Sequence, residues 1–206
     1  MRTWLQETAW TLKIETKRLM LRPQAPGDYE AWYAALAHRL PQQHQYDEGL
    51  INLEGCDAAW FKGICQHHQD QALADYAYIW AVFSKQTEQH LGYVDLLTIQ
   101  REEKQWANLG YGIHNQYWRQ GLGKEAVRAA LIAGFEQLGY HRIEAAINLD
   151  NAASIALAES VGLQKECIRR GFYYEKGQWV DHIIYVGLPA DFGLVEGPPA
   201  IAPHAT

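Results

Sequence analysis

The chain of 206 residues carries 18 lysines and arginines against 24 aspartates and glutamates, so its formal net charge at pH 7 is −6. This acidic balance argues against general nucleic-acid binding, which needs basic side chains to neutralise phosphates, and it is compatible with attraction of an amine or a basic peptide. With 48% hydrophobic and 12% aromatic residues, the chain is apolar enough to fold as one packed domain.

The sequence gives no sign of a membrane or secreted protein. Its apolar runs are shorter than the roughly 20 residues that span a bilayer, and the segment from Met1 to Glu7 is too polar for a signal peptide. Cys56, Cys65 and Cys167 are scattered and form neither a disulfide framework nor a zinc pattern. We therefore predict a cytoplasmic protein with reduced thiols, no membrane contact and no metal.

The first half of the predicted chain is a lead-in, a strand and two helices. Residues 1–11 form the lead-in, and the alternating stretch Leu12–Arg22 predicts a strand. Asp28 can cap the first helix, which ends before Pro41, and Asp57 can cap the second. The link between the two helices is polar and irregular.

Three strands follow, at residues 75–84, 91–99 and 106–113, and their short turns predict an antiparallel meander. The last of them contains Gly110 and Gly112. Glycine weakens a strand, so the pair indicates a bulge beside a ligand.

The second half alternates helices and strands. A helix runs to Leu138, a strand covers 142–148, a helix covers 152–161, and a hairpin covers 164–188. The tail at 189–206 has little to bury and is predicted to be loose. The order of elements indicates an α+β fold with a mixed sheet.

A glycine-containing turn joins the fourth predicted strand to the central helix, with the sequence Trp118-Arg119-Gln120-Gly121-Leu122-Gly123-Lys124-Glu125. Gly121 and Gly123 allow the backbone to approach a ligand, and free amides of the first helical turn attract anions. A helix-dipole charge of about +0.5 adds to the effect of Arg119 and Lys124. The spacing matches neither G-x-G-x-x-G nor a Walker loop, so it predicts a phosphate site of another kind.

This turn resembles the pyrophosphate-binding turn of the GCN5-related N-acetyltransferases (GNAT), and the surrounding motifs resemble the RimJ/RimL branch of that superfamily. The motifs are, in chain order, Leu109–His114, Glu125–Val127, His141–Ala145, Asn151–Ser154, Gly162-Leu163 and Gly177–His182. The resemblance implies one GNAT domain at 12–188. It implies a mixed, mostly antiparallel sheet of six to seven strands with helices on both faces, and a V-shaped split between strands 4 and 5.

The resemblance also implies acetyl-CoA as co-substrate, without a metal, and direct attack of a primary amine on the bound thioester. It further implies that the polar link between the two predicted helices, with the helix after it, borders the acceptor site. The implied coenzyme-binding residues are Ile113, Trp118, Arg119, Gln120, Gly121, Leu122, Gly123, Lys124, Asn151 and Ser154. Among them, a backbone N–H near Ile113 faces the thioester oxygen, and the amides from Arg119 to Lys124 bind the pyrophosphate.

The catalytic acid and base are less clearly marked. Where many family members have a tyrosine acid, this chain has Ala158, so Ser154 is the candidate that protonates the thiolate. Where relatives have a carboxylate before the fourth strand's Gly-Tyr, it has Asn108. His114 and Glu175 are the candidate bases. The alternatives are Glu144, Asp95, Tyr111 and a water chain.

The predicted acceptor is a protein N-terminal amine, such as that of a ribosomal protein, because RimJ/RimL relatives acetylate such amines. Open alternatives are a small amine (a polyamine, an amino acid or a drug), a CoA-binding regulator without catalysis, and a nucleotide-binding switch. The predicted partners are acetyl-CoA and the acceptor, with neither nucleic acid nor membrane, and the predicted state is a monomer or homodimer.

Overall fold

The structure is a computed structural model that describes residues 10–197. The strands are β1 (Ile14–Glu15), β2 (Leu19–Arg22), β3 (Ala77–Ser84), β4 (His90–Gln100), β5 (Trp106–Ile113), β6 (Arg142–Asn148), β7 (Gln164–Glu175) and β8 (Gln178–Gly187). The helices are α1 (Tyr29–Ala37), α2 (Ala58–Leu73), α3 (Leu122–Glu136) and α4 (Ala152–Val161). Short 3-10 helices lie at Pro26–Asp28, Asn115–Tyr117 and Pro189–Phe192.

Within the described residues, eight strands form one sheet in the order β1-β2-β3-β4-β5-β6-β8-β7. The predicted α+β class and mixed sheet are confirmed, but the predicted count of six to seven strands is wrong. The stretch predicted as one strand is a hairpin, because the backbone N–H of Leu19 donates to the hydroxyl of Thr16 and turns the chain between β1 and β2.

The chain divides into two compact units. The first contains the residues up to Asp95 together with Tyr111–Ala130, and the second contains Leu96–Gly110 together with the chain from Leu131 onward. The chain therefore passes three times from one unit to the other. The single domain at 12–188 stays a prediction. No helix in the part of the chain that the structure describes is long and apolar enough to cross a membrane.

In the second unit, β5 and β6 pair in parallel over a short stretch. The register joins Trp106 to Arg142, Ala107 to Ile143 and Asn108 to Glu144. β6 continues to pair along its other edge with β8, as far as Asn148 opposite His182. The two parallel strands therefore part after Asn108 and Glu144, which is the split predicted between the fourth and fifth strands.

The chain end differs from its prediction. Residues Pro189–Phe192 form a 3-10 helix in which the carboxylate of Asp191 accepts from the backbone N–H of Leu188 at 2.9 Å. The ring of Phe192 lies 5.2 Å from that of Phe135 in α3. These residues are therefore not part of a loose tail. Most of the predicted lead-in (1–9) and the end of the tail (198–206) lie outside the described residues.

Of the two helix caps predicted in the first unit, Asp57 and Asp28, only Asp57 acts as a cap. Asp57 caps α2, since its carboxylate accepts from the backbone N–H of Trp60 at 2.8 Å. The side chain of Asp28 does not cap α1; it binds the guanidinium of Arg22 at 2.6 and 2.7 Å and the N–H of Ala25 at 2.8 Å. A charged partner competes successfully for the Asp28 carboxylate because charge-assisted hydrogen bonds are the stronger ones.

The α1–α2 loop (residues 38–57) is held by the buried carboxylate of Asp47. This carboxylate accepts hydrogen bonds from Arg39 Nη2 (2.9 Å), Gly49 N (3.0 Å), Gln43 N (2.9 Å) and Asn115 Nδ2 (2.9 Å). Burial alone raises the pKa of Asp47, but these donors outweigh it and hold the pKa below its ordinary value. The loop is thereby fixed to the residues that follow β5.

Two neutral histidines continue this network. Arg39 Nη1 donates to His114 Nδ1 at 3.2 Å, and His114 Nε2 lies 2.9 Å from His90 Nδ1. Because a guanidinium can only donate, the proton of the neutral His114 ring is on Nε2 and points at His90. Burial is the main cause that lowers the pKa of His114 to about 3 and that of His90 to about 4. Both rings are therefore uncharged at neutral pH.

Strands β4 and β5 approach closely at two glycines. A Cβ atom on Gly92, whose φ is +151°, would lie 2.0 Å from the carbonyl oxygen of Gly112 and 2.8 Å from the Cα of Ile113. A Cβ atom on Gly112 would lie 2.8 Å from Cε1 of Tyr93. The Tyr93 ring therefore explains why residue 112 is glycine, a position for which the sequence had suggested a ligand.

We expect Gly92→Ala to lower the free energy of unfolding by more than about 2 kcal/mol, because backbone atoms of the facing strand would have to move. Urea unfolding followed by circular dichroism measures this change. Gly63→Ala is the matched control. Gly63 lies exposed in α2, and a Cβ added there would have no atom within 4 Å, so alanine should stabilise the helix by about 0.5–1 kcal/mol. Equal stabilities of the two variants would contradict the close approach.

We expect His114→Gln to make the free energy of unfolding less dependent on pH in the acid range. The folded-state pKa values of both histidines are depressed, whereas in the unfolded chain both take protons near pH 6.5. The wild-type free energy of unfolding should therefore fall as the pH drops from about 6.5 to 4. His114→Gln removes one of the two groups that take up a proton on unfolding. The slope of the free energy of unfolding against pH should therefore decrease by about 1.4 kcal/mol per pH unit. Parallel curves for the two proteins would show that His114 is not buried in the neutral form.

Candidate active site

The turn from β5 into α3 exposes backbone donors. Arg119 and Gly121 have φ values of +60° and +72°, so the chain reverses just before α3 begins at Leu122. The amides of residues 122–124 belong to the first helical turn and have no carbonyl one turn earlier in the helix. The next amide, that of Glu125, donates to the carbonyl of Gly121 at 3.2 Å. We call residues Arg119–Lys124 the anion-binding turn.

Glu125 fixes this turn to the N-terminal hairpin. Its Oε1 accepts from the Thr16 hydroxyl (2.6 Å) and the Arg18 N–H (2.8 Å), and its Oε2 accepts from Arg18 Nε (2.6 Å). Arg18 Nη1 also donates to the carbonyl of Gln120 at 2.8 Å. Burial raises the pKa of Glu125, but the hydrogen bonds from Thr16 and Arg18 outweigh it and keep the pKa below its ordinary value. Sequence patterns had marked neither Arg18 nor Thr16.

The residues of the turn fit a diphosphate group. Gly121 has a φ of +72°, which favours glycine, and a Cβ there would lie 3.6 Å from Nη2 of Arg18, so the turn passes close to that guanidinium. The side chains of Arg119 and Lys124 are exposed and can add positive charge. Amides at a helix start and cations around them are the donors that phosphate prefers.

Trp118 is tied to the end of β5. Its indole Nε1 donates to the carbonyl of Ile113 at 2.6 Å. The ring of His44, from the α1–α2 loop, stacks on the indole with centroids 5.2 Å apart and planes at 21°. Trp118 therefore positions the strand end and supports the loop.

His114 does not suit the catalytic role that the sequence suggested for it. A general base needs an accessible lone pair and a pKa near the working pH. His114 is only 6% exposed, both ring nitrogens have partners, and its pKa is lowered to about 3. We therefore assign it a structural role.

Asn151 and Ser154 lie together at the start of α4, in the second unit. The side-chain oxygen of Asn151 accepts from the backbone N–H of Ser154 at 3.2 Å, which confirms the predicted cap. Ser154 is half-buried in the first turn of the helix. Gly162, with φ of +104°, ends the same helix as predicted.

Glu175, also in the second unit, lies in a polar cluster with Asn148 and His182. Its Oε2 accepts from Asn148 Nδ2 at 2.8 Å, and its Oε1 lies 3.2 Å from Nε2 of the buried His182. The Glu175 side chain is 38% exposed. It is therefore accessible as well as partnered.

Glu144 is unsuitable as a base. Only 1% exposed, it accepts two hydrogen bonds from Arg169 (2.6 and 2.9 Å) and one from Arg142 (3.1 Å). Both of its oxygens are therefore occupied by guanidinium groups. Across residues 10–197, no group of three or more histidine, cysteine, aspartate or glutamate side chains could hold a metal ion.

The predicted site residues thus fall into two groups. Ile113, His114 and Trp118–Lys124 belong to the first unit, and Asn151, Ser154 and Glu175 belong to the second. The structure brings Ile113 and Trp118 into contact, and likewise Asn151 and Ser154. Glu175 has other neighbours within its unit.

Comparison with known proteins gives consistent matches. Residues 18–164 match a family model described as an acetyltransferase (GNAT) domain. The chain is 28% identical over 174 residues to YoaA, an uncharacterized N-acetyltransferase of Bacillus subtilis (strain 168), with 84% of this chain and 94% of that protein covered. It is 27% identical over 179 residues to the [ribosomal protein uS5]-alanine N-acetyltransferase of Escherichia coli (strain K12), covering 84% and 89%.

Among solved structures, Mycobacterium smegmatis RimJ in complex with CoA-disulfide superposes with a TM-score of 0.73 at 18% identity, covering 87% of this chain and 88% of that one. This likeness concerns the fold. The family match spans well over half of the chain and includes both the anion-binding turn and the start of α4. The chain therefore belongs to the GNAT acetyltransferase family and is an N-acetyltransferase, an enzyme of the class that uses acetyl-CoA as acetyl donor.

Proposed function

We propose that this enzyme acetylates the N-terminal amine of a protein, by direct attack of that amine on the thioester of acetyl-CoA. The main support for acetyl-CoA as the acetyl donor is the anion-binding turn, which Glu125 and Arg18 hold at the start of α3. The similarity to an enzyme named for the alanine of a ribosomal protein supports the acceptor half. A ribosomal acceptor implies action in the cytoplasm.

In the first unit, the amides of residues 119–124 bind the diphosphate, and the exposed charges of Arg119 and Lys124 balance it. The backbone N–H of Ile113 faces the thioester oxygen, where developing negative charge makes such a donor worth about 3 kcal/mol. Trp118 holds the carbonyl side of the same residue. These residues orient and polarise the donor.

In the second unit, we keep Asn151 and Ser154 as coenzyme ligands. Asn151 uses one oxygen for its cap, and its amide N–H groups can serve the pantetheine arm. The Ser154 hydroxyl supplies the proton that the departing thiolate needs. Ala158 cannot do so.

One assay tests the acceptor. Purified protein is incubated with acetyl-CoA and, separately, a hexapeptide with a free N-terminal alanine, the same peptide with a blocked N-terminus, and spermidine. Free thiol is measured with a disulfide reagent, against a blank without acceptor because Cys167 is exposed. Turnover of only the free peptide supports the proposal. Turnover of only spermidine favours a small-amine enzyme, and coenzyme binding without turnover favours a regulator.

We expect Gly123→Glu to abolish coenzyme binding while the fold is retained. The new carboxylate would repel the diphosphate and replace at least two charge-assisted hydrogen bonds of about 1.5–3 kcal/mol each, a loss of roughly 100-fold or more in affinity. Titration calorimetry with CoA measures it. Gly63→Glu makes the same change on exposed α2 and should bind CoA like the wild type. Unchanged affinity of Gly123→Glu would refute this placement.

We expect Ser154→Ala to reduce kcat by about 100-fold, the usual contribution of a proton donor, with less than about a threefold change in CoA affinity. Ser160→Ala is the control, since Ser160 lies exposed on the same helix and donates to the carbonyl of Leu157 at 2.9 Å. If both variants turned over alike, Ser154 would not be the acid.

A further inference from the structure

Asp95 on β4 differs from the other inward-facing acids of the first unit. The others have partners: Asp28–Arg22 (2.6 Å), Asp47–Arg39 (2.9 Å), Glu125–Arg18 (2.6 Å), and Asp75 with the Tyr78 hydroxyl (2.7 Å). Asp95 is half-buried, and no side chain or backbone donor in the described part of the chain binds its carboxylate. A desolvated carboxylate without a partner costs stability, so its presence calls for a functional reason.

The pKa of Asp95 is consistent with a functional role. Burial raises its pKa to about 6, without an opposing contribution from a cation. The carboxylate is then still mostly ionised at pH 7, yet it binds a proton far more readily than an ordinary aspartate. Carboxylates in this condition cluster at catalytic sites.

The strand geometry places Asp95 on a useful face. It follows Tyr93 by two residues, so both side chains face the same side of the sheet. The Tyr93 ring lies against Gly112, next to Ile113, as the short distance to a Cβ at Gly112 shows. Tyr93, on the same side of β4 as Asp95, therefore reaches the end of β5, where we propose that the Ile113 N–H binds the thioester oxygen.

The α1–α2 loop contributes charges to the same face. The pKa of Tyr93 lies above its ordinary value. Burial and the nearby charges of Asp95 and Glu48 raise it, and the positive charge of Arg39 opposes this rise only in part. Glu48 and Arg39 belong to that loop, which the family resemblance implies to border the acceptor site. Asp95 therefore shares its surroundings with the strand end and with this loop.

We propose that Asp95 is the general base of acetyl transfer, taking a proton from the ammonium group of the acceptor directly or through one water molecule. This inference rests on the proposed function. Asn108 on β5 cannot take a proton, and Asp95 on β4 is a carboxylate that can.

The proton balance is complete with groups already named. Asp95 removes one proton from the –NH₃⁺ group, and the neutral nitrogen forms a bond to the acetyl carbon as the carbon–sulfur bond breaks. The remaining excess proton on nitrogen is lost as the amide forms, and the departing thiolate takes up one proton. Asp95 then releases its proton to solvent. The products are an N-acetyl amide, a free thiol and one proton.

The test is Asp95→Asn, which keeps the size of the side chain and removes its basicity. We expect kcat/KM for the free-alanine hexapeptide at saturating acetyl-CoA to fall about 100-fold or more at pH 7. In the wild type, kcat/KM should rise with pH through about 6, where Asp95 loses its proton, and this rise should be absent from the variant. Thermal unfolding should show that Asp95→Asn is at least as stable as the wild type.

Two further variants sharpen the result. Asp95→Glu should recover part of the rate, because it restores a carboxylate, and Asp70→Asn, an exposed acid on α2, should behave like the wild type. If the wild type turns over and Asp95→Asn has the same rate, Asp95 is not the base. The same conclusion follows if the Asp95→Asn rate is reduced but still rises near pH 6. Either result would leave the proposed function standing. Absence of wild-type turnover on every acceptor would overturn both.

Discussion

The contact on which the site depends is the one between Glu125 and the turn of the N-terminal hairpin. One carboxylate accepts from the hydroxyl of Thr16 and from both the backbone and the guanidinium of Arg18. The same guanidinium binds the carbonyl of Gln120 and so holds the chain just before α3. Hydrogen bonds to charged groups contribute about 1.5–3 kcal/mol each, less where the partner is as exposed as Arg18. A mobile helix start would lose conformational entropy when it binds an anion. Here the helix start is held in place before binding, so that cost is smaller.

Charge compensation separates structural from chemical roles in this protein. Asp47 and Glu144 are buried, and each is surrounded by donors that stabilise its ionised form. His90 and His114 are buried as neutral rings in a hydrogen-bonded series. These groups hold the α1–α2 loop and the sheet in place, and their protons are not available near neutral pH. An ionisable group that lacks such compensation, as Asp95 does, can exchange a proton under working conditions.

Local patterns in the sequence were sufficient for features that depend on neighbouring residues. Asp57 and Asn151 cap the helices that follow them, and Gly162 ends α4. The α+β class came from the order of the predicted elements, and the split between two strands came from the resemblance of the motifs to a known family. Where the sequence misled, the decisive partner was distant. Asp28 was predicted as a cap but binds Arg22, and the predicted base His114 has its ring nitrogens occupied by residues 75 and 24 positions away. Sequence spacing does not reveal such contacts.

The alternation of the chain between its two units has a consequence for synthesis on the ribosome. Residues up to Asp95 emerge early, but the first unit also requires Tyr111–Ala130. Arg18 and Glu125 are 107 positions apart, so the hairpin turn must wait until more than half of the polypeptide has left the exit tunnel. Late closure of long-range contacts slows folding and prolongs exposure of apolar surface. Nascent chains of this enzyme therefore pass through a stage in which the early part of the first unit is made but still lacks the segment Tyr111–Ala130 that completes it.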